Sequence, residues 1–122
     1  MEFDNNIPIY IQVINKIKQD LITGKLKNGD KMPSARDLSA ELKINLNTVA
    51  RVYKELEIEG IVFTKRGIGT YVTESLEKIS SIKTDYAKDL LSSFIFGMRK
   101  IGFNNQQIVS ILKENIEGDY NE

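Results

Sequence analysis

Along the first half of the chain, apolar positions recur with the period of a helix. Tyr10, Ile14, Ile17 and Leu21 fall at i, i+4, i+7 and i+11, one stripe along a predicted helix from Pro8 to Ile22. Pro8 suits a first turn, where its missing N–H costs nothing. Thr23-Gly24 supplies the stop, since glycine accepts the left-handed conformation of a helix end. Residues 25–31 lose the period and read as a loop with a turn at Asn28-Gly29-Asp30. Ser34 ahead of Ala35-Arg36-Asp37 then predicts a second helix, an N-cap with an acid three positions on. Leu38 and Leu42 share its apolar face, and it ends near Lys43. Asn45 caps a third helix, in which Val49, Val52, Tyr53 and Leu56 take i, i+3, i+4 and i+7. That side is core. The other side carries Asn47, Thr48, Ala50, Arg51 and Lys54, and Gly60 ends the helix.

The period then changes. Ile61-Val62-Phe63-Thr64 and Thr70-Tyr71-Val72 are β-branched and aromatic, as strands prefer, and Lys65-Arg66-Gly67-Ile68-Gly69 between them is a hairpin tip. Thr73 to Ser81 is polar and reads as a connector. Helical spacing returns from Ile82 to Ile101, with Ile82, Tyr86, Leu90, Phe94 and Met98 at successive i+4 steps. Gly102 stops this helix, and Asn104-Asn105-Gln106-Gln107 starts another that carries Ile108, Val109, Ile111, Leu112 and Ile116. The fold class is mostly α with a small β-hairpin: a winged helix-turn-helix over residues 1–75, then a two-helix tail over 76–122. Such a unit presents one helix to the major groove of double-stranded DNA.

Composition narrows the chemistry. The chain has no cysteine and no histidine, so a disulfide framework, a Cys-based zinc site and the commonest general base are all absent. No catalytic, cofactor or metal site is predicted. No apolar run approaches a membrane span. The start, Met1-Glu2-Phe3-Asp4, is acidic where a signal peptide would be basic, so a cytoplasmic protein is expected. Lys and Arg number 17, as do Asp and Glu, so the whole chain shows no basic footprint. Distribution matters more, because salt screens charges beyond about 10 Å. From Lys43 to Lys54 there are three basic residues and no acid, and from Ile61 to Thr73 two and none. Acids gather instead at Glu55, Glu57 and Glu59 and in the tail.

The segments Met32-Pro33-Ser34-Ala35-Arg36-Asp37-Leu38, Asn45-Leu46-Asn47-Thr48-Val49-Ala50-Arg51-Val52-Tyr53 and Lys65-Arg66-Gly67-Ile68-Gly69-Thr70-Tyr71-Val72 together resemble the DNA-binding domain of the GntR family of bacterial transcription regulators. The short remainder is similar to its small YtrA-like subgroup. The resemblance implies DNA contact by Ser34 and Arg36 at the second helix, by Asn45, Asn47, Thr48 and Arg51 on the third, and by Lys65, Arg66 and Gly67 on the wing. The chemistry agrees: Arg clamps phosphate or a guanine edge, and Asn pairs with adenine. A helix N-terminus also attracts phosphate. Tyr53 is expected to be core. Many members of the family have arginine where this chain has Leu46 and Ala50, so their operator sequence does not transfer.

Two tail helices of this size cannot bury all their large apolar side chains between themselves. The leftover stripe packs either within the chain or on a second copy. A dimer is favoured, because two winged helices on a two-fold axis read a palindrome, and in the family this segment builds the dimer. Tyr86, Leu90, Phe94, Met98, Ile108 and Leu112 are the candidate contacts. The expected function is a homodimeric, sequence-specific regulator, a repressor, on a pseudo-palindromic operator. Transporter genes enter as targets through the subgroup resemblance alone. The alternative is a winged-helix protein-interaction module, which would need an apolar or acidic third helix. An enzyme-fused regulator would need more chain than the 47 residues after Ser75 (122 − 75 = 47). The same shortness leaves no ligand-enclosing domain, so the effector is open.

Overall fold

Pro8 precedes helix α1 (Ile9–Thr23), the first element in a computed structural model that describes residues 1–120, with side chains through Gly118. Gly24, at φ +83°, closes α1 in the left-handed conformation that the Thr23-Gly24 step predicts. Helices α2 (Ala35–Leu42) and α3 (Leu46–Ile58) follow, then strands β1 (Val62–Lys65) and β2 (Gly69–Val72). Helices α4 (Leu76–Lys100) and α5 (Asn105–Tyr120) complete the order. The chain divides into two compact units, residues 1–83 and 84–122.

The first unit is built on the apolar stripes. Val13, Ile17 and Leu21 of α1 meet Val52 and Leu56 of α3, with Met32, Ile61, Val62, Val72 and Ile82 completing the cluster. Tyr10 and Ile14, the first two members of the predicted α1 stripe, are half-buried against it. Complete burial of a side chain such as Leu56 is worth about 1.5–3 kcal/mol. Leu38 and Val49 are buried where α2 packs on α3. Ahead of α1, Phe3 packs on the same core. Gln12 clamps that segment: its Oε1 accepts from the Asp4 amide, and its Nε2 donates to the carbonyls of Asp4 and Ile7, each at 2.8 Å.

The strands pair antiparallel, with Val62 opposite Val72, Phe63 opposite Tyr71, Thr64 opposite Thr70 and Lys65 opposite Gly69. Alternation turns the two valines into the core and puts Phe63, Tyr71 and Lys65 on the other face. The segment read as a plain loop reinforces this hairpin. Met32 N–H donates to the Thr70 carbonyl at 2.7 Å, Val72 N–H to Asp30 at 2.8 Å and Gly29 N–H to Val72 at 3.1 Å. Lys31 bridges Tyr71. Two strands alone are marginal in water, and residues 29–32 add the missing edge.

The expected polar connector between Thr73 and Ser81 is also corrected. Ser75 Oγ accepts from the Lys78 amide at 3.1 Å, so α4 starts at Leu76. Ile79 and Ile82, three apart, dock on the core of the first unit. Glu77 and Lys78 ahead of Ile79, and Ser80 and Ser81 between the two isoleucines, made an amphipathic turn read as linker.

In the second unit, α4 closes in a Schellman turn. Gly102, at φ +99°, donates to Arg99 at 3.0 Å, and Phe103 donates to Met98 at 3.1 Å. Asn104 and Gln107 then cap α5 reciprocally: Asn104 N–H donates to Gln107 Oε1 at 2.9 Å, and Gln107 N–H to Asn104 Oδ1 at 2.8 Å. The Arg99 guanidinium ties the two helices through Nε and Nη2, at 3.1 and 2.8 Å from Asn105 Oδ1.

Candidate nucleic-acid interface

The turn between α2 and α3 sets the geometry of the candidate site. Lys43 takes φ +56°, a left-handed conformation uncommon for a residue with a side chain. Its turn is held by Ile44 N–H to the Ser39 carbonyl at 3.1 Å and by Ser39 Oγ to the Ile44 carbonyl at 3.0 Å. Ser34 Oγ accepts from the Asp37 amide at 3.1 Å, which fixes the start of α2 and places Arg36, exposed, on its first turn. Tyr53 crosses from α3 to donate its phenol to the Pro33 carbonyl. Burial, then the carboxylates of Glu41 and Asp37, push this phenol up to about 12. It therefore stays protonated and acts as a strut, in keeping with its expected place in the core.

Asn45 Oδ1 accepts from the Asn47 amide at 2.7 Å, so its side-chain oxygen is engaged as the α3 cap. Leu46, Asn47 and Ala50 are exposed at the start of α3, and Thr48 is half-buried. Arg51 is not a freely extended arm. Its guanidinium carbon lies 3.6 Å from the centroid of the Tyr10 ring on α1. Lys54, one turn on, is exposed.

On the hairpin, Arg66 and Gly67 form the exposed tip, closed by Ile68 N–H to the Lys65 carbonyl at 2.9 Å. Gly67 sits at φ +77°. Lys65 is the last residue of β1 rather than part of the tip. Its ammonium folds back over the stacked pair Phe63 and Tyr71, 4.8 Å from the Tyr71 centroid and 5.6 Å from that of Phe63. Sequence reasoning missed Lys31. Its side chain runs along β2 so closely that a Cβ on Gly69 would come within 2.8 Å of Lys31 Cε. No sequence signal marks it, because residues 29–32 become an edge only through pairing with β2.

Among the described residues, ion pairs join Lys16 to Asp20 and Lys18 to Glu59. Neither takes Arg36, Arg51, Lys65 or Arg66, so these four cations remain uncompensated for an anionic ligand. No group of metal-ligating side chains occurs among the described residues, and no described helix is long and apolar enough to cross a membrane.

The second unit carries the candidate self-association residues. Leu90 is 60% exposed, Phe94 37% and Leu112 39%, while Tyr86 and Met98 are half-buried. Leu91, Phe96, Ile101, Val109 and Ile116 are exposed as well. Ile108 does not belong with the exposed set. At 5% exposure it is shielded by its own chain, in the first turn past the capped junction.

Three comparisons bear on this arrangement. The family model described as bacterial regulatory proteins, gntR family, matches residues 9–72, from α1 to the end of β2. The HTH-type transcriptional regulator YhcF of Bacillus subtilis is 34% identical over 96% of this chain and 97% of its own length. The HTH-type transcriptional repressor YtrA of the same organism is 37% identical over 90% of this chain and 85% of its own. A solved GntR family transcriptional regulator from Listeria monocytogenes superposes with a TM-score of 0.81 at 39% identity, over 92% of this chain and 98% of that one.

Proposed function

The chain belongs to the GntR family of DNA-binding transcriptional regulators, and on that premise we propose that it represses transcription as a homodimer on a pseudo-palindromic operator. The half-sites would lie about one helical turn of DNA, 10–10.5 base pairs, or a multiple of it, apart. Asn47 and Thr48 on the first turn of α3 read base edges, with Asn45 holding the cap. Arg36, Arg51, Lys65 and Arg66 neutralise phosphates around them, with the Ser34 turn and Gly67 bringing backbone close to the duplex. The exposed faces of α4 and α5, through Leu90, Phe94 and Leu112, join the two copies. The protein acts by occupying DNA rather than by catalysis.

The observation that carries this reading is that Arg36, Arg51, Lys65 and Arg66 are exposed and outside any ion pair among the described residues, in the same unit as the amide-bearing start of α3. A protein-interaction module would expose an apolar or acidic α3 instead.

Fluorescence-anisotropy titration against DNA from upstream of its own gene, with scrambled DNA as control, tests the proposal. Binding should prefer the native sequence and weaken log-linearly with salt, by a slope of about 0.9 per phosphate neutralised. Equal, weak binding to both DNAs across added upstream fragments would overturn it.

A further inference from the structure

Arg51 is the one DNA-facing cation whose guanidinium the first unit holds against a residue outside the helix-turn-helix. The contact is close: 3.6 Å from guanidinium carbon to the Tyr10 centroid places the charge on the ring face. Tyr10 is in turn a fixed platform. It is half-buried against the core, on the first turn of α1. Gln12 pins the preceding segment with three hydrogen bonds of 2.8 Å. No acid lies between Lys43 and Lys54, and Arg51 takes part in no ion pair among the described residues.

A guanidinium stacked by its face keeps its N–H groups free at its edge, where they suit the paired oxygens of a phosphate. The stack also removes in advance much of the rotamer freedom that a long arginine loses on binding. Arg51 lies more than a turn into α3, beyond the base-reading start and beside α1.

We infer that Tyr10 is a positioning residue for DNA binding, holding the Arg51 guanidinium against α1 as a preformed phosphate clamp. This rests on the DNA-binding reading above. It extends the interface to α1, where neither composition nor motif points.

A double-mutant cycle on the full chain tests it, using a fluorescein-labelled 30-base-pair duplex of mixed sequence and its salt dependence. Arg51→Ala should weaken binding and lower the salt slope by about one. Tyr10→Leu should weaken binding about two- to fivefold, whereas Tyr10→Phe keeps the ring and binds as the unmodified protein does. In the Arg51→Ala background, Tyr10→Leu should have no further effect. Arg51→Lys keeps the charge but not the planar stack and leaves the core untouched, so it covers the case in which Tyr10→Leu fails to fold. It should lose affinity by about the same two- to fivefold factor. Independent, multiplicative losses from Tyr10→Leu and Arg51→Ala, or unchanged affinity in Arg51→Lys, would overturn the inference while leaving DNA binding intact. No binding by the unmodified protein would overturn both.

Discussion

The phenol of Tyr53, on α3, donates a hydrogen bond of 2.5 Å to the carbonyl of Pro33, at the entry to α2. The two helices are thus joined by a polar strut as well as by the apolar packing of α2 on α3, where Leu38 and Val49 are buried. A net intramolecular hydrogen bond is worth about 0.5–1.5 kcal/mol. Pro33 is exposed, so water can replace the lost donor and the lower half of that range applies. Tyr53→Phe should therefore cost about 0.5–1 kcal/mol and lower the melting temperature by about 2–6 °C. Thermal unfolding followed by circular dichroism measures this, and an unchanged midpoint would remove the strut from the account.

The same phenol makes a prediction about pH. Its pKa in the folded protein is raised to about 12 from an ordinary 10.0, by burial first and then by Glu41 and Asp37. The folded state therefore favours the protonated form more than the unfolded state does. The stability so contributed is complete below pH 10 and is lost as pH rises towards 12. The readout is a difference, so that other effects of alkaline pH on the chain cancel. The advantage of the unmodified protein over Tyr53→Phe in urea unfolding should shrink between pH 9.5 and 11.5 (about half a unit below each of these two pKa values). A constant difference would contradict the assignment.

The helix-turn-helix was legible because each of its elements carries its own local signal. Val49, Val52 and Leu56 recur at helical spacing, Ser34 and Asn45 are cap residues, and Gly60 and Gly102 stop helices; all act where the sequence places them. What escaped reading depends on distant partners. Residues 29–32 have no strand pattern of their own and become an edge only because β2 offers free backbone groups. Residues 76–81 look like a linker until Ile79 and Ile82 find the core. The candidate DNA-contacting residues were proposed from their type, but the partners of their side chains were not legible. Nothing in the spacing pairs Arg51 with Tyr10, folds Lys65 onto Phe63 and Tyr71, or runs Lys31 across Gly69.

Lys43 marks a place where this chain carries strain. A side chain in the left-handed region costs about 1–2 kcal/mol, and Lys43 holds φ +56° in the turn between α2 and α3. Glycine removes that cost but loses about 0.5–1 kcal/mol through extra freedom in the unfolded chain. Lys43→Gly should therefore stabilise the protein by about 0.5–1 kcal/mol, whereas Lys43→Val should destabilise it. Urea unfolding of the two variants decides the matter, and a less stable glycine variant would show that the turn is not strained.

Arg36 and Arg66 are exposed on separate elements, the first turn of α2 and the wing tip, and neither enters an ion pair among the described residues. Removing both should leave the fold alone, since exposed substitutions of this kind stay within about 0.5 kcal/mol. Binding should fall at every DNA sequence, with the salt slope reduced by about two. Affinity and melting temperature measured on the same Arg36→Ala, Arg66→Ala preparation separate the two effects. Unchanged affinity would move the interface elsewhere.

Phe94 and Ile108 make opposite predictions in the second unit, although both belong to the apolar pattern of the tail. Phe94 is 37% exposed beside Leu90, which is 60% exposed, so its ring has surface left for another molecule. Ile108 is 5% exposed and has almost none. A charge at Phe94 should act on assembly: the unmodified protein should sediment as a dimer and Phe94→Glu as a monomer, with its helix content retained. Truncation at Ile108 should act on the chain itself, since Ile108→Ala empties a packed site at a cost of about 2–4 kcal/mol. A Phe94→Glu protein that remains dimeric would place the ring outside the interface. An Ile108→Ala protein that is monomeric but as stable as before would return Ile108 to it, because burial of a side chain by its own subunit must appear as stability and not as association.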